Sequence, residues 1–290
     1  SRAGGQKGRT SQRGITGKPM NVIKYLKDLL GAEKEAGPVG FRIAAVSHKG
    51  KVRGNNEDNF CVMGTVLPLM HEGTEGILEF QVEPEGQVTV AVFDGMGGEA
   101  AGELASFTAA EKMRELSGQK TFSEESVKEL CMDLNRSVTE AAEREKYIQI
   151  GTTAVLFFAK GNQCIMGNVG DSPFYLFRRG ELTLLSEAHV SRLPPELQGF
   201  LGRKPTLTQF LGMGEEEVRM EPFVKKGTCM PGDRVLLCSD GLTDMAEEKE
   251  IENILREEKE TVRCVERLLE KALDQGGRDN ITIVLCDITE

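Results

Sequence analysis

Four short acidic motifs, each placed where an apolar run meets a glycine-rich or polar turn, constrain this chain most. In chain order they are RGNNED at 53–58, DGMGG at 94–98, SDGLTD at 239–244 and GGRDN at 276–280. Carboxylates gathered at strand ends disfavour each other's ionisation. Divalent cations such as Mg²⁺ and Mn²⁺ prefer oxygen ligands and offset that repulsion. The motifs therefore predict a metal-dependent hydrolase.

The composition fits one folded domain with a charged tail. The chain has 290 residues, of which 39% are hydrophobic, and a net charge of −10. A single α/β domain of roughly 250 residues is within normal limits. Residues 1–40 carry a net charge of +5, so residues 41–290 carry −15. An acidic body of this kind argues against nucleic-acid binding, which usually needs a basic face.

Cysteine and histidine usage limits the chemistry further. The seven cysteines include no Cys-x-x-Cys pair, and most lie within apolar stretches, which favours buried thiols in a reducing cytoplasm. With three histidines in all, a histidine-rich metal site is nearly excluded. No apolar run approaches the roughly 18–20 residues of a membrane span. We therefore expect a cytoplasmic protein without a transmembrane segment.

Two regions are predicted. Residues 1–40 form a basic disordered tail and a short amphipathic helix at 21–30, which we expect to pack on its own domain rather than on a membrane or partner. Residues 41–290 form the main domain. Within it, 187–217 is predicted to be a mobile flap insertion, because it has two consecutive prolines, several glycines and weak periodicity.

Short strands in hairpin succession alternate with separated pairs of helices in the main domain. Helices are predicted at about 100–116 and 124–145, the second with Ser123 as its N-cap, and a last helix stops at 276–277. This order favours an α+β fold with packed antiparallel sheets over a doubly wound parallel sheet. Strands are predicted at 41–47, 59–63, 78–82, 88–93, 152–158, 164–168, 174–177, 182–185, 219–225, 234–238 and 281–288.

Three aspartates, Asp94, Asp240 and Asp279, are predicted to lie at strand edges beside glycine turns. The alternative is three unrelated solvated turns. Glu57 and Asp58 are adjacent, so in an extended chain their side chains point to opposite faces and one of them acts through water. Arg53 is a candidate for holding a phosphate with its planar guanidinium. Its alternative is a surface ion pair with Glu57.

Taken together, these segments resemble the type 2C metal-dependent serine/threonine protein phosphatases, the PPM family, and its compact bacterial branch in particular. The resemblance covers about residues 41–288. It implies a four-layer α-β-β-α sandwich of two antiparallel sheets with the metals at one end. The matching segments are RGNNED at 53–58, DGMGG at 94–98, GTT at 151–153, NVGDS at 168–172, LLCSDGLTD at 236–244 and GRDN at 277–280.

The resemblance also implies residue roles and cofactors. Two divalent cations, Mn²⁺ or Mg²⁺, would bind, and a hydroxide bridging them would attack phosphoserine or phosphothreonine. Arg53 would orient the phosphate. Asp94 would bridge both cations, Asp240 and Asp279 would hold the first, and the second would be held by the Gly95 carbonyl, Asp58 and, through water, Glu57.

Two departures from the family pattern affect this assignment. Met96 stands where many eukaryotic members carry a histidine proposed as general acid, so water would protonate the leaving group. A third metal site would use Asp244, but Gln149, a weak substitute, stands close to where bacterial members often have an aspartate. Asn168 and Asp171 are interpreted as scaffold positions.

We expect a phosphatase acting on phosphorylated proteins, including a cognate Ser/Thr kinase and its substrates, and a monomer. The alternative is a catalytically inactive PPM-fold module that binds or regulates a partner. Loss of a metal aspartate would indicate that alternative, and none is lost. A hydrolase of small phosphate esters or nucleotides is a third possibility, although no Walker-type loop occurs in the sequence.

Overall fold

The computed structural model describes residues 37–97, 101–116, 118, 122–191, 205–214 and 219–290. The predicted tail and amphipathic helix lie outside the described residues. The strands are β1 Gly40–His48, β2 Asp58–Val62, β3 Thr65–Val66, β4 Leu78–Val82, β5 Gln87–Met96, β6 Gly151–Thr152, β7 Ala154–Lys160, β8 Gln163–Val169, β9 Phe174–Arg178, β10 Glu181–Leu184, β11 Phe223–Thr228, β12 Arg234–Cys238 and β13 Ile281–Thr289. The helices are α1 Gly102–Leu116, α2 Glu124–Glu145, α3 Asp240–Thr243, α4 Glu248–Glu257 and α5 Thr261–Asp274.

These strands form two antiparallel sheets. The first has the order β10-β9-β12-β13-β1-β4, and the second has the order β11-β8-β7-β5-β2-β3, with β6 paired to β5. Two-residue loops close the β7–β8 and β9–β10 hairpins, where Gly161, Arg179 and Gly180 all have positive φ angles.

The layers follow from which strand faces are apolar. Helices α1 and α2 pack on the outer face of the second sheet around Phe93, Leu134 and Leu156. Helices α3, α4 and α5 pack on the outer face of the first sheet. Between the sheets, the Phe157 ring lies 6.4 Å from that of Phe41 and 5.7 Å from that of Phe174. The predicted four-layer α-β-β-α sandwich is confirmed.

Local signals account for most elements, but the start of one predicted strand needs correction and two helices were not predicted. Helix α2 begins at Glu124 as predicted, with the Ser123 side chain accepting from the Ser126 backbone N–H and a reciprocal bond closing the capping box. Strand β11 begins at Phe223, four residues later than predicted. Helices α3 and α4 were not predicted: α3 has four residues, and α4 has only three buried side chains in a charged sequence.

The described parts of the predicted flap insertion, 187–191 and 205–214, contact the domain body. Val190 pairs with Leu207, and Leu211 pairs with Thr152 in isolated β-bridges. The Asn135 side chain on α2 accepts hydrogen bonds from the backbone N–H groups of Gly212 and Met213. This part of the insertion therefore has defined partners on α2 and β6.

Candidate metal centre

The topology brings all four acidic motifs to one end of the sandwich. Asp94 lies near the end of β5 and is the register partner of Asp58, which begins β2. Asp240 follows the end of β12, and Asp279 precedes the start of β13, its antiparallel neighbour. Arg53 lies in the loop between β1 and β2. Antiparallel pairing alone therefore places side chains that are far apart in sequence at the same edge.

These residues surround a cavity of about 380 Å³. Five of the predicted site residues, Arg53, Glu57, Asp94, Asp240 and Asp279, line it together with the backbone of Gly95. The remaining lining residues are Met96, Gly97, Thr153, Asp171, Pro205 and Leu207. The predicted site residues Asp58 and Asp244 are not among them.

Asp94 is held by its backbone at the base of this cavity. Its N–H donates to the Thr153 side-chain oxygen at 3.1 Å, and its carbonyl accepts from the Thr153 N–H at 2.9 Å. A Cβ added to Gly95 would lie 2.3 Å from both the Glu57 and Gly102 carbonyl oxygens, so only glycine fits there. Burial, followed by repulsion from Asp58, Asp240 and Asp279, raises the pKa of Asp94 well above its usual value.

Asp58 lies behind the cavity rather than in it. Its side chain is buried, and its Oδ2 accepts hydrogen bonds from the Ser239 and Thr282 hydroxyls, each at 2.7 Å. Burial raises the pKa of Asp58 to about 7, although hydrogen bonds from the two hydroxyls lower it. Repulsion from Asp240 and Asp279 also raises this pKa. Of the two adjacent carboxylates, Glu57 therefore lines the cavity and Asp58 is the more remote.

A directed hydrogen-bond chain ends on Asp58. Because the single proton of Thr282 Oγ1 goes to Asp58, the 3.0 Å contact with Ser47 requires the Ser47 hydroxyl to donate to Thr282. Ser47 in turn accepts from the Asn56 side-chain amide at 3.0 Å. The chain joins β1, β13 and the start of β2 and fixes one orientation of the buried carboxylate.

Replacing Thr282 by valine tests this chain. We expect Thr282→Val to lower the free energy of unfolding by about 1–3 kcal/mol, because a buried acceptor loses its donor while the volume is kept. Urea unfolding in chelator measures the loss. Thr282→Ser keeps the hydroxyl and should retain most of the stability. Equal losses in the two variants would show that methyl packing, not the hydrogen bond, matters at this position.

Arg53 pairs with Asp279 and not with Glu57, the partner considered from sequence. Its Nη2 donates to Asp279 Oδ2 at 2.8 Å, and its side chain is 47% exposed. Partial burial lowers the pKa of Arg53, but the charge and hydrogen bond of Asp279 outweigh it, so the net direction is upward. Arg53 therefore lines the cavity with about half of its side chain open to solvent.

Asn280 has a positioning role that the sequence analysis did not assign. Its side-chain amide donates to the carbonyls of Lys49 and Asn55, each at 2.8 Å, and its Oδ1 accepts from the Glu57 N–H at 2.8 Å. A Cβ added to Gly241 would lie 1.9 Å from the Asn280 carbonyl oxygen. Asn280 thus joins the loop carrying Arg53 and Glu57 to the segments carrying Asp240 and Asp279.

Other predicted positions divide between scaffold and cavity. Asn168 is a scaffold residue as predicted, since its side chain bonds the backbone of Glu187 and Gly170. Asp171, also assigned to the scaffold, instead lines the cavity. Asp244 and Gln149 are exposed and do not line it. Nothing in the described geometry brings those two together for a third ion.

The donor set fits hard divalent cations. Carboxylates that repel one another in a partly dehydrated cavity are stabilised when cations bind between them. In the described residues, no three His, Cys, Asp or Glu side chains converge closely enough to hold a single ion directly. The carboxylates surround a space instead of meeting at a point, which matches an arrangement in which water molecules complete the coordination.

An α-β-β-α sandwich with an acid-lined cavity at one end of its sheets defines a metal-dependent hydrolase. Residues 77–285 match the family model described as protein phosphatase 2C. The chain is 31% identical over 254 residues to the serine/threonine phosphatase Stp of Listeria welshimeri, covering 82% of this chain and 92% of that protein. The chain belongs to the protein phosphatase 2C family and is a metal-dependent serine/threonine protein phosphatase of bacterial type.

Solved structures agree with this assignment. The serine/threonine phosphatase PstP of Mycobacterium tuberculosis superposes with a TM-score of 0.69 at 29% identity, over 87% of this chain and 100% of that one. The PstP catalytic domain in complex with two manganese ions gives a TM-score of 0.67 at 29% identity, with the same coverage. Among the described residues, no helix is long and apolar enough to cross a membrane.

Proposed function

We propose that this phosphatase binds two divalent cations, Mn²⁺ or Mg²⁺, in the cavity and uses them to hydrolyse phosphoserine and phosphothreonine in proteins. The residues proposed to hold them, directly or through water, are Asp94, the Gly95 carbonyl, Asp240, Asp279, Glu57 and Asp58. When bound, such cations supply an activated water and neutralise charge that develops on the phosphoryl oxygens. The two-manganese PstP structure supports this proposal.

The chain's own residues bind and orient the substrate. Arg53 presents a planar array of N–H donors to solvent and suits a phosphate oxygen pair. Its present partner, Asp279, is a proposed cation ligand, and a cation held there would leave the guanidinium available to phosphate. Met96 also lines the cavity and carries no proton to donate, so we propose that water protonates the serine or threonine leaving group.

One observation carries the proposal more than any other. Asp94, Asp240 and Asp279, which come from three separate segments of the sequence, line one cavity together with the half-exposed Arg53. An inactive binding module of the same fold needs no such concentration of negative charge, because the charges repel one another without cations. Retention of the full set therefore favours an enzyme over a purely regulatory domain.

A metal-dependence assay tests the proposal. Purified full chain should cleave p-nitrophenyl phosphate and a phosphothreonine peptide with Mn²⁺ and stop when chelator is added. A protein that is folded but inactive with either Mn²⁺ or Mg²⁺ would support the regulatory alternative. Activity that persists in chelator would contradict the two-cation mechanism. Faster cleavage of nucleotides than of phosphopeptides would redirect the substrate assignment to small molecules.

Partners and location are further proposals. We infer that the substrates are phosphoproteins that include a cognate Ser/Thr kinase, and that the enzyme acts as a monomer in the cytoplasm. All seven cysteines are free thiols, and only Cys164 is not buried, which supports a reducing compartment. Phosphoproteome comparison with and without the enzyme would identify the substrates, and light scattering would measure the oligomeric state.

A further inference from the structure

Glu103 is a buried carboxylate that the sequence analysis did not single out. It lies in the first turn of α1 and is 3% exposed. Its Oε1 accepts a hydrogen bond from the Asn55 side-chain amide. Its Oε2 is buried and has no hydrogen-bond partner among the described residues. A buried acceptor left without a donor costs about 1–3 kcal/mol, so this oxygen requires a donor that the described part of the protein does not supply.

Glu103 lies directly behind Glu57, which lines the cavity. A Cβ added to Gly102 would lie 2.8 Å from Glu57 Oε2, so the Glu57 side chain runs against the start of α1. Burial and then the charge of Glu103 raise the pKa of Glu57. Asn55, which donates to Glu103, is in the same loop as Glu57. The two carboxylates are therefore neighbours, one facing the cavity and one behind it.

A second acceptor close to Glu103 has the same requirement. His71 Nε2 lies 2.9 Å from the Asp58 carbonyl oxygen, which can only accept, so this nitrogen donates. In the neutral ring Nδ1 is then an acceptor, and it is buried without a partner among the described residues. Glu103 and His71 interact electrostatically. An imidazole nitrogen and a carboxylate oxygen that both lack a donor indicate a site for water.

We propose that Glu103 is a positioning residue for the second cation, accepting a hydrogen bond from hydration water that this cation shares with Glu57. This inference rests on the proposed function, since it presupposes that two cations bind. Mg²⁺ and Mn²⁺ sites of this kind retain several waters, and each water has two protons to donate. Carboxylates that accept hydrogen bonds from the ligands or waters of a metal fix the orientation of those ligands and waters. Glu103 Oε2 is available for this role, whereas Oε1 is occupied by Asn55.

The test is Glu103→Gln in the full chain, with Mn²⁺ titrated into metal-free protein by calorimetry and by electron paramagnetic resonance. Glutamine keeps the volume and an oxygen for Asn55 but presents a donor amide in place of Oε2. We expect the second Mn²⁺ to bind about 10–100-fold more weakly, as for other residues that hold a metal's ligands, with the first unchanged. Glu115→Gln removes the same charge from an exposed position of α1 and should leave both affinities unchanged.

The outcomes separate this inference from the proposed function. If the wild type binds two ions and Glu103→Gln binds both equally well, the inference fails and the proposed function stands. If the wild type binds fewer than two ions, both fail. Equal weakening at both sites with a lower melting temperature in chelator would indicate a purely structural role and also overturn the inference. Should the glutamine variant not fold, Glu103→Asp is the replacement, since it withdraws the carboxylate by one methylene. This variant must also bind the second Mn²⁺ more weakly with the first unchanged.

Discussion

Asp240→Asn is expected to lower kcat/KM for a phosphothreonine peptide by about 10²–10³-fold, the scale seen when one preorganised charge-stabilising group is lost. Asp240 lines the cavity with Asp94 and Asp279, and each is proposed to help hold the cations. An amide of the same shape keeps the packing but removes one of the negative charges that a cation recognises. Steady-state kinetics at saturating Mn²⁺ measures the effect.

The control must separate loss of chemistry from loss of fold. Asp274→Asn makes the same substitution at an exposed position at the end of α5 and should leave kcat/KM unchanged. Asp240→Asn should also match the wild-type circular dichroism spectrum in chelator. A folded Asp240→Asn enzyme with near-normal activity would remove Asp240 from the catalytic centre, whatever the behaviour of the other aspartates.

Much of the fold was predictable because its signals are local. Alternating apolar residues, two-residue turns and the Ser123 cap lie within a few residues of the structure they specify. Asp94, Asp240 and Asp279 were predictable for a related reason, since each lies at or beside the end of a buried strand and antiparallel pairing brings such ends together. Helix α4 was missed because its three buried side chains are too few to dominate a charged sequence.

The residues behind the cavity were not predictable in this way. Asn280 and Glu103 act through contacts with residues 48 to 231 positions away, and a local sequence pattern does not reveal such contacts. Asp171 was interpreted as a scaffold position, whereas it lines the cavity. A buried glutamate in the first turn of a helix that follows a glycine-rich acidic motif was the one available signal for Glu103.

Asp94→Asn is expected to be more stable than the wild type without cations and less stable than the wild type with them. In chelator, the variant should melt above the wild type, because Asp94 is buried and repelled by Asp58, Asp240 and Asp279. Relief of about 1 kcal/mol would raise the melting temperature by roughly 2–4 °C in a domain of this size. With Mn²⁺ at 100 times its Kd, the wild type gains about 2.7 kcal/mol per site, and the variant should gain far less. Differential scanning fluorimetry in both conditions measures the inversion.

The pH dependence of the stability of the metal-free protein distinguishes charge repulsion from a change in packing. The folded-state pKa of Asp58 is about 7 against an ordinary 3.8, and that of Asp94 is also raised. Between those values the folded state holds more protons than the unfolded state, so stability falls as pH rises through the window. The wild type in chelator should therefore lose stability from about pH 4 to about pH 7 through these groups, and Asp94→Asn should lose less. If Asp94→Asn had the same stability as the wild type at every pH, or melted below it in chelator, the cavity carboxylates would not repel one another. The case for cations between them would then lose its physical basis.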